Sequence, residues 1–285
     1  MATNDKKPPS HAPAGRDLDE ELLGDAQTQK FSPEEEAALV AESNTHKAEA
    51  NQLFSDRNYD AALNKYDEAL TVCPNYLDYE LAVLRSNIAA CHLNLGDWKS
   101  AIAQATTALD CLDRAEREEK EKEKAEEEDE VVEAEIISPM AAKAGPPLPK
   151  EKDEQAEAAR RKRYEDIERI RAKALLRRAR GRSELNGWSN LEGAIEDYKK
   201  LAGITSLGPA DKKLVQTKLR ELPPRAKNAQ EKETAEMWGK LKEMGNGLLK
   251  PFGLSTDSFK MDKDEKTGGY SMNFQGGGAG GGKKA

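Results

Sequence analysis

Six positions recur at one spacing in two places along this chain. Ala50, Leu53, Ala62, Tyr66, Ala69 and Pro74 are separated by 3, 9, 4, 3 and 5 residues, and Ala89, His92, Ala101, Ala105, Ala108 and Asp113 repeat that series 39 residues later. Self-similarity at such a period restricts a chain to arrays in which each unit buries its apolar face on the next. The order small, large, small, large has a physical reading. Ala50 and Ala62 sit where two antiparallel helices cross closely, and Leu53 and Tyr66 fill the volume beside the crossing. A third copy is weaker: Lys173 to Ala179 reads as its first helix, and Ala194, Tyr198 and Leu201 repeat the spacing of Ala62, Tyr66 and Ala69. From Ala179 to Ala194 there are 15 residues against 12 from Ala50 to Ala62, so the third turn is expected to hold three extra residues.

Around these copies the chain divides by composition. Residues 1–30 carry no apolar period and read as a disordered arm. Residues 31–115 form a lead-in helix with repeats 1 and 2. Ser32-Pro33-Glu34-Glu35 reads as an N-cap, a proline at the first helical position and a capping-box glutamate. Helices are expected to about Asp56, over Tyr59–Val72 and Leu77–Leu95, with Gly96 as a C-cap, and from Trp98 past Leu112. Residues 116–160 are a charged and proline-rich insertion, whose Glu116–Glu135 run is either a solvated single helix or disordered and whose 138–149 segment is a loop. Repeat 3 spans 161–208. A capping helix covers 209–247, interrupted at Pro223-Pro224. Residues 248–274 are an apolar docking tail, and 275–285 a flexible glycine tail with no strand or Gly-Lys-Ser/Thr to make it a phosphate loop.

Composition excludes several classes. A net charge of −8 disfavours bulk affinity for nucleic acid, leaving room for a local basic patch at residues 160–182. Acidic residues interleave much of that patch, so a solvated helix is the favoured reading. Cys73, Cys91 and Cys111 are an odd set without C-x-x-C spacing, which fits reduced thiols in a cytoplasmic protein, with the nucleus as the alternative. Cys91 and His92 are helix neighbours pointing about 100° apart, so no thiol–imidazole pair is expected and His92 reads as core filler. No apolar run approaches the roughly 20 residues of a membrane span. Neither a carboxylate pair nor a metal-ligand cluster stands out, so no enzyme activity, cofactor or metal is expected.

The polar chemistry falls on the first helices of the copies. Lys47 and Asn51 are four apart and share a face, as do Lys173 and Arg177, and Asn87 lies on the corresponding helix of the second copy. Three cations and two amides from three helices suit an extended peptide that ends in an acidic residue, where side chain and terminus place two carboxylates close together. The spacing and residues resemble the tetratricopeptide repeat, a 34-residue helix–turn–helix unit, with five extra residues between copies 1 and 2. The resemblance covers about residues 43–210. It implies an all-α fold: three helical hairpins in a right-handed superhelical solenoid, closed by the capping helix, with the first helices lining the concave side.

Lys47-x-x-Ala50-Asn51, Ser86-Asn87-x-Ala89-Ala90-Cys91 and Lys173-Ala174-x-x-Arg177-Arg178-Ala179 are further similar to the two-carboxylate clamp of that family. Such clamps hold the Glu-Glu-Val-Asp C-termini of cytosolic Hsp90 and Hsp70. By that resemblance Lys47, Asn51 and Asn87 would hold the terminal carboxylate, Lys173 the aspartate side chain, and Arg177 the peptide further upstream. The tail strings at 249–256 and 267–274 resemble the C-terminus of one member of the family. The expected function is a monomeric co-chaperone or adaptor, with the tail reaching a client. The alternatives are a scaffold for another acidic or helical segment, and a nucleic-acid binder through residues 160–182.

Overall fold

The computed structural model describes residues 30–137, 154–252, 256, 259–263 and 270–274. The readings of the arm before Lys30, the 138–149 loop and the 275–285 tail lie outside them. The described chain is a stack of helices: α1 (Pro33–Ser55), α2 (Tyr59–Val72), α3 (Asp78–Leu95), α4 (Trp98–Ile137), α5 (Glu154–Leu185), α6 (Trp188–Ala202) and α7 (Pro209–Leu249). Each packs on the next, and α3 also packs on α5, as expected of a tetratricopeptide-like solenoid. After α7 come a 3-10 turn (Lys250–Phe252) and a small antiparallel pair, β1 (Phe259–Lys263) with β2 (Tyr270–Phe274).

The repeated alanines explain the stacking. Ala50, Ala62, Ala69, Ala89, Ala101, Ala105 and Ala108 are all fully buried, as are Ala174, Ala179 and Ala194 of the third hairpin. Their lack of bulk lets helix backbones approach, and Tyr66 and Tyr198 fill the space alongside. Local signals set the ends. Ser32 Oγ accepts from the Glu35 amide while Glu35 Oε2 accepts from the Ser32 amide, closing the capping box. Gly96, at φ +77°, ends α3 in the left-handed conformation.

Two readings need correction, and one left open is decided in favour of its helical alternative. The three extra residues of the third hairpin are not in its turn, which is only Asn186-Gly187. They lengthen the start of α6, where they add about 300° of rotation, close to one full turn. Ala194 therefore returns to the face that Ala62 occupies in the second helix of hairpin 1. The Glu116–Ile137 stretch is helical and continues α4, with Lys120 bonded to Glu116 at 2.6 Å and Lys122 paired with Glu118 at 3.1 Å.

Finally, α7 is not interrupted at Pro223-Pro224. The two prolines cannot donate to the carbonyls of Leu219 and Arg220, yet Leu222 and Ala226 on either side are buried in the second core. Arg225 Nη2 also donates to the Ser183 carbonyl at 3.1 Å. Tertiary burial thus holds a turn that local propensity opposes. Both prolines are exposed. Pro223→Ala is expected to raise stability by up to about 3 kcal/mol in urea denaturation, because it restores a backbone donor without emptying the core.

Candidate functional site

The contacts made by Asn51, Arg177 and Lys47 run between helices, and those of Arg177 and Lys47 join different hairpins. Arg177 on α5 donates through Nη1 to Ser86 Oγ on α3, the chain neighbour of Asn87. The Tyr66 hydroxyl on α2 donates to Asn51 Oδ1 on α1 at 2.6 Å. Tyr66 and Cys91 both lie within electrostatic reach of the Arg177 guanidinium. Asn51, Tyr66, Arg177 and Ser86 therefore form one patch drawn from four helices. Because the phenol occupies the carbonyl oxygen of Asn51, the amide NH2 is the group left to donate.

Lys173 lies one turn before Arg177 on α5 and is exposed. Lys47 reaches α3 separately: its Nζ stands 3.7 Å from Glu80 Oε2. Asn87 is the chain neighbour of Ser86, which Arg177 bonds.

The cations of α5 are the unusual members. Burial pushes Arg177 down from 12.5 to about 10, with Tyr66 and Cys91 acting in the opposite direction. Burial, then the neighbouring Arg177 and Arg169, lowers Lys173 below the ordinary lysine value. No carboxylate contributes to either shift, so the described residues supply these two cations with no counter-charge. A partly desolvated, uncompensated cation pair is costly by itself and favours an incoming anion.

Tyr66, buried beneath the patch, is raised to about 12, chiefly by burial. The unfolded chain releases this proton near 10, so the stabilisation is whole below pH 10 and is lost as pH rises through 12. That amounts to about 3 kcal/mol at two pKa units. Urea melts between pH 10 and 12 are expected to show the loss, and Tyr66→Phe is expected to show less of it.

Sequence reasoning missed Tyr66 as a polar partner, Ser86 and Glu80. Ser86 stands inside the string already singled out around Asn87. The Tyr66 hydroxyl had no signal, because its ring was accounted for by packing. Cys73, Cys91 and Cys111 are buried free thiols, as their small apolar character suggests. His92 is not simple filler: at the C-terminal turn of α3 its Nδ1 lies 3.3 Å from Asp97 Oδ2.

Several arginines of the 160–182 patch are engaged within the fold. Arg163 pairs with Glu119 at 2.8 Å, and Arg171 pairs with Asp113 and Glu116 at 2.7 and 2.6 Å. Arg178 and Arg182 close on buried Asp197 at 2.7 and 2.9 Å.

Fold and site together define a class: a stack of helical hairpins consistent with a tetratricopeptide-like solenoid, with a polar patch that joins α1, α2, α3 and α5. No model of a known protein family matches the chain. It is 31% identical over 77 residues to the small glutamine-rich tetratricopeptide repeat-containing protein 2 of Saccharomyces cerevisiae, covering 27% of this chain and 21% of that one. It is 39% identical over 66 residues to protein PHOX3 of Arabidopsis thaliana, covering 22% of this chain and 8% of that protein. Protein PHOX1 of the same plant is 35% identical over 71 residues, covering 24% and 9%. The chain thus spans about a fifth or less of the relatives it matches. Among the described residues no helix is long and apolar enough to cross a membrane.

Proposed function

We propose that this protein is a tetratricopeptide-type adaptor whose trough holds an acidic peptide C-terminus of the Glu-Glu-Val-Asp kind, as carried by cytosolic Hsp90 and Hsp70. The observation that carries the reading is the Lys173–Arg177 pair, two cations with no counter-charge from the described residues, of which Arg177 bonds Ser86 beside the Asn51–Tyr66 contact. A peptide ending in aspartate brings two carboxylates. One meets the α5 cations, and the other meets the amide donor of Asn51, Asn87 and the ammonium of Lys47. The tail strings around 249–256 and 267–274 resemble the C-terminus of tetratricopeptide repeat protein 1.

A short ligand of this kind binds in the micromolar range, about −8 kcal/mol, and much of that is electrostatic. Calorimetric titration with a Glu-Glu-Val-Asp peptide tests the reading. Binding is expected to weaken with salt and to fall sharply when the peptide C-terminus is amidated. Binding insensitive to amidation would leave a scaffold for some other acidic or helical segment. The ion pairs made by Arg163, Arg171, Arg178 and Arg182 disfavour the nucleic-acid reading, which a mobility shift with single-stranded RNA would restore.

A further inference from the structure

The surplus residues between the first two repeats have a definite place. They fall within residues 76–81, which in the structure make the linker's end and the first turn of α3, Asp78–Leu81. That turn is pinned. Arg114 of α4 donates to Asp78 through Nε at 3.0 Å and Nη2 at 2.6 Å. The positive end of the helix dipole favours acids there. Two residues on, Glu80 points at α1 and meets Lys47 at 3.7 Å, both side chains partly buried at 31% and 23% exposure. Cys73, itself buried, feels both charges. At 3.7 Å the pair is looser than a charge-assisted hydrogen bond of about 2.8 Å, so its partners can exchange.

We propose that Glu80 is an internal competitor for Lys47, a specificity-determining residue that pairs with this cation and that an incoming carboxylate must displace. The inference rests on the reading of the trough as an acidic-peptide site. A singly charged ligand end that meets only Lys47 exchanges one carboxylate for another and gains little. A doubly charged end also reaches Lys173 and Arg177, which nothing among the described residues neutralises, so the competitor raises the threshold for weakly acidic ligands.

The test is a double-mutant cycle read by calorimetry with a Glu-Glu-Val-Asp peptide. Glu80→Gln, and Glu80→Ala as a second variant, are expected to tighten binding about five- to tenfold. In a Lys47→Met background the same changes should alter affinity less than about twofold. Glu221→Gln, on exposed α7 and paired with Lys218, removes the same net charge and should change nothing. Unchanged or weaker binding by both Glu80 variants, with the parent binding normally, overturns the competitor while leaving the trough reading intact. Tightening that persists without Lys47, or that Glu221→Gln matches, also overturns it. No binding by the parent and the Glu80 variants alike overturns the trough reading and the competitor together.

Discussion

Lys173→Glu is expected to weaken a Glu-Glu-Val-Asp peptide by at least about 100-fold, the loss typical of truncating one side of a desolvated charge pair with repulsion added. The side chain is exposed, so the fold should survive the change. It stands one turn from Arg177 and has no carboxylate partner among the described residues, which makes its charge available to a ligand. Unfolding temperature should therefore stay level while affinity collapses. In the parent, saturating peptide should raise stability by about 2.7 kcal/mol at 100 times Kd, a rise that Lys173→Glu should not show. Retained binding in Lys173→Glu, or a peptide equally potent with an amidated end, would remove the chaperone-tail reading.

Asp197→Ala should produce the largest loss of stability, about 3–5 kcal/mol, because it strands two cations that the fold has partly desolvated. Asp197 is 1% exposed and accepts from Arg178 Nε at 3.0 Å, Arg178 Nη2 at 2.7 Å and Arg182 Nη1 at 2.9 Å. Arg182 also donates to the Gly193 carbonyl at 3.0 Å. A side chain at position 193 would stand 2.9 Å from that guanidinium, so glycine is what admits it. Arg178 carries the network on to Thr106 of α4 at 3.4 Å. The comparison is the exposed Lys218–Glu221 pair on α7, whose removal should cost under about 1 kcal/mol. Urea denaturation of both variants distinguishes a buried network from a surface pair; a cost below about 1 kcal/mol at Asp197 would mean the cations find water instead.

Such contrasts separate what a linear reading can and cannot reach. Arg178 and Arg182 looked like members of a solvated basic face, because acidic residues interleave much of the 160–182 patch. Their partner lies 15 to 19 residues away on another helix, and only packing makes it buried. The prolines of α7 are a second case. Local propensity argued for a break, and the burial of Leu222 and Ala226 outweighed it.

The repeat alanines, the caps at Ser32 and Gly96, and the shared faces of Lys47 with Asn51 and of Lys173 with Arg177 were determined by the sequence alone. They depend on helical period and local backbone geometry, which a few consecutive residues specify. The Tyr66–Asn51 and Arg177–Ser86 bonds, the Lys47–Glu80 pair and the Asp197 network were decided only by the tertiary structure. Each joins groups from different helices, and such meetings are set by how closely buried alanines let the helices approach, a quantity no local spacing encodes.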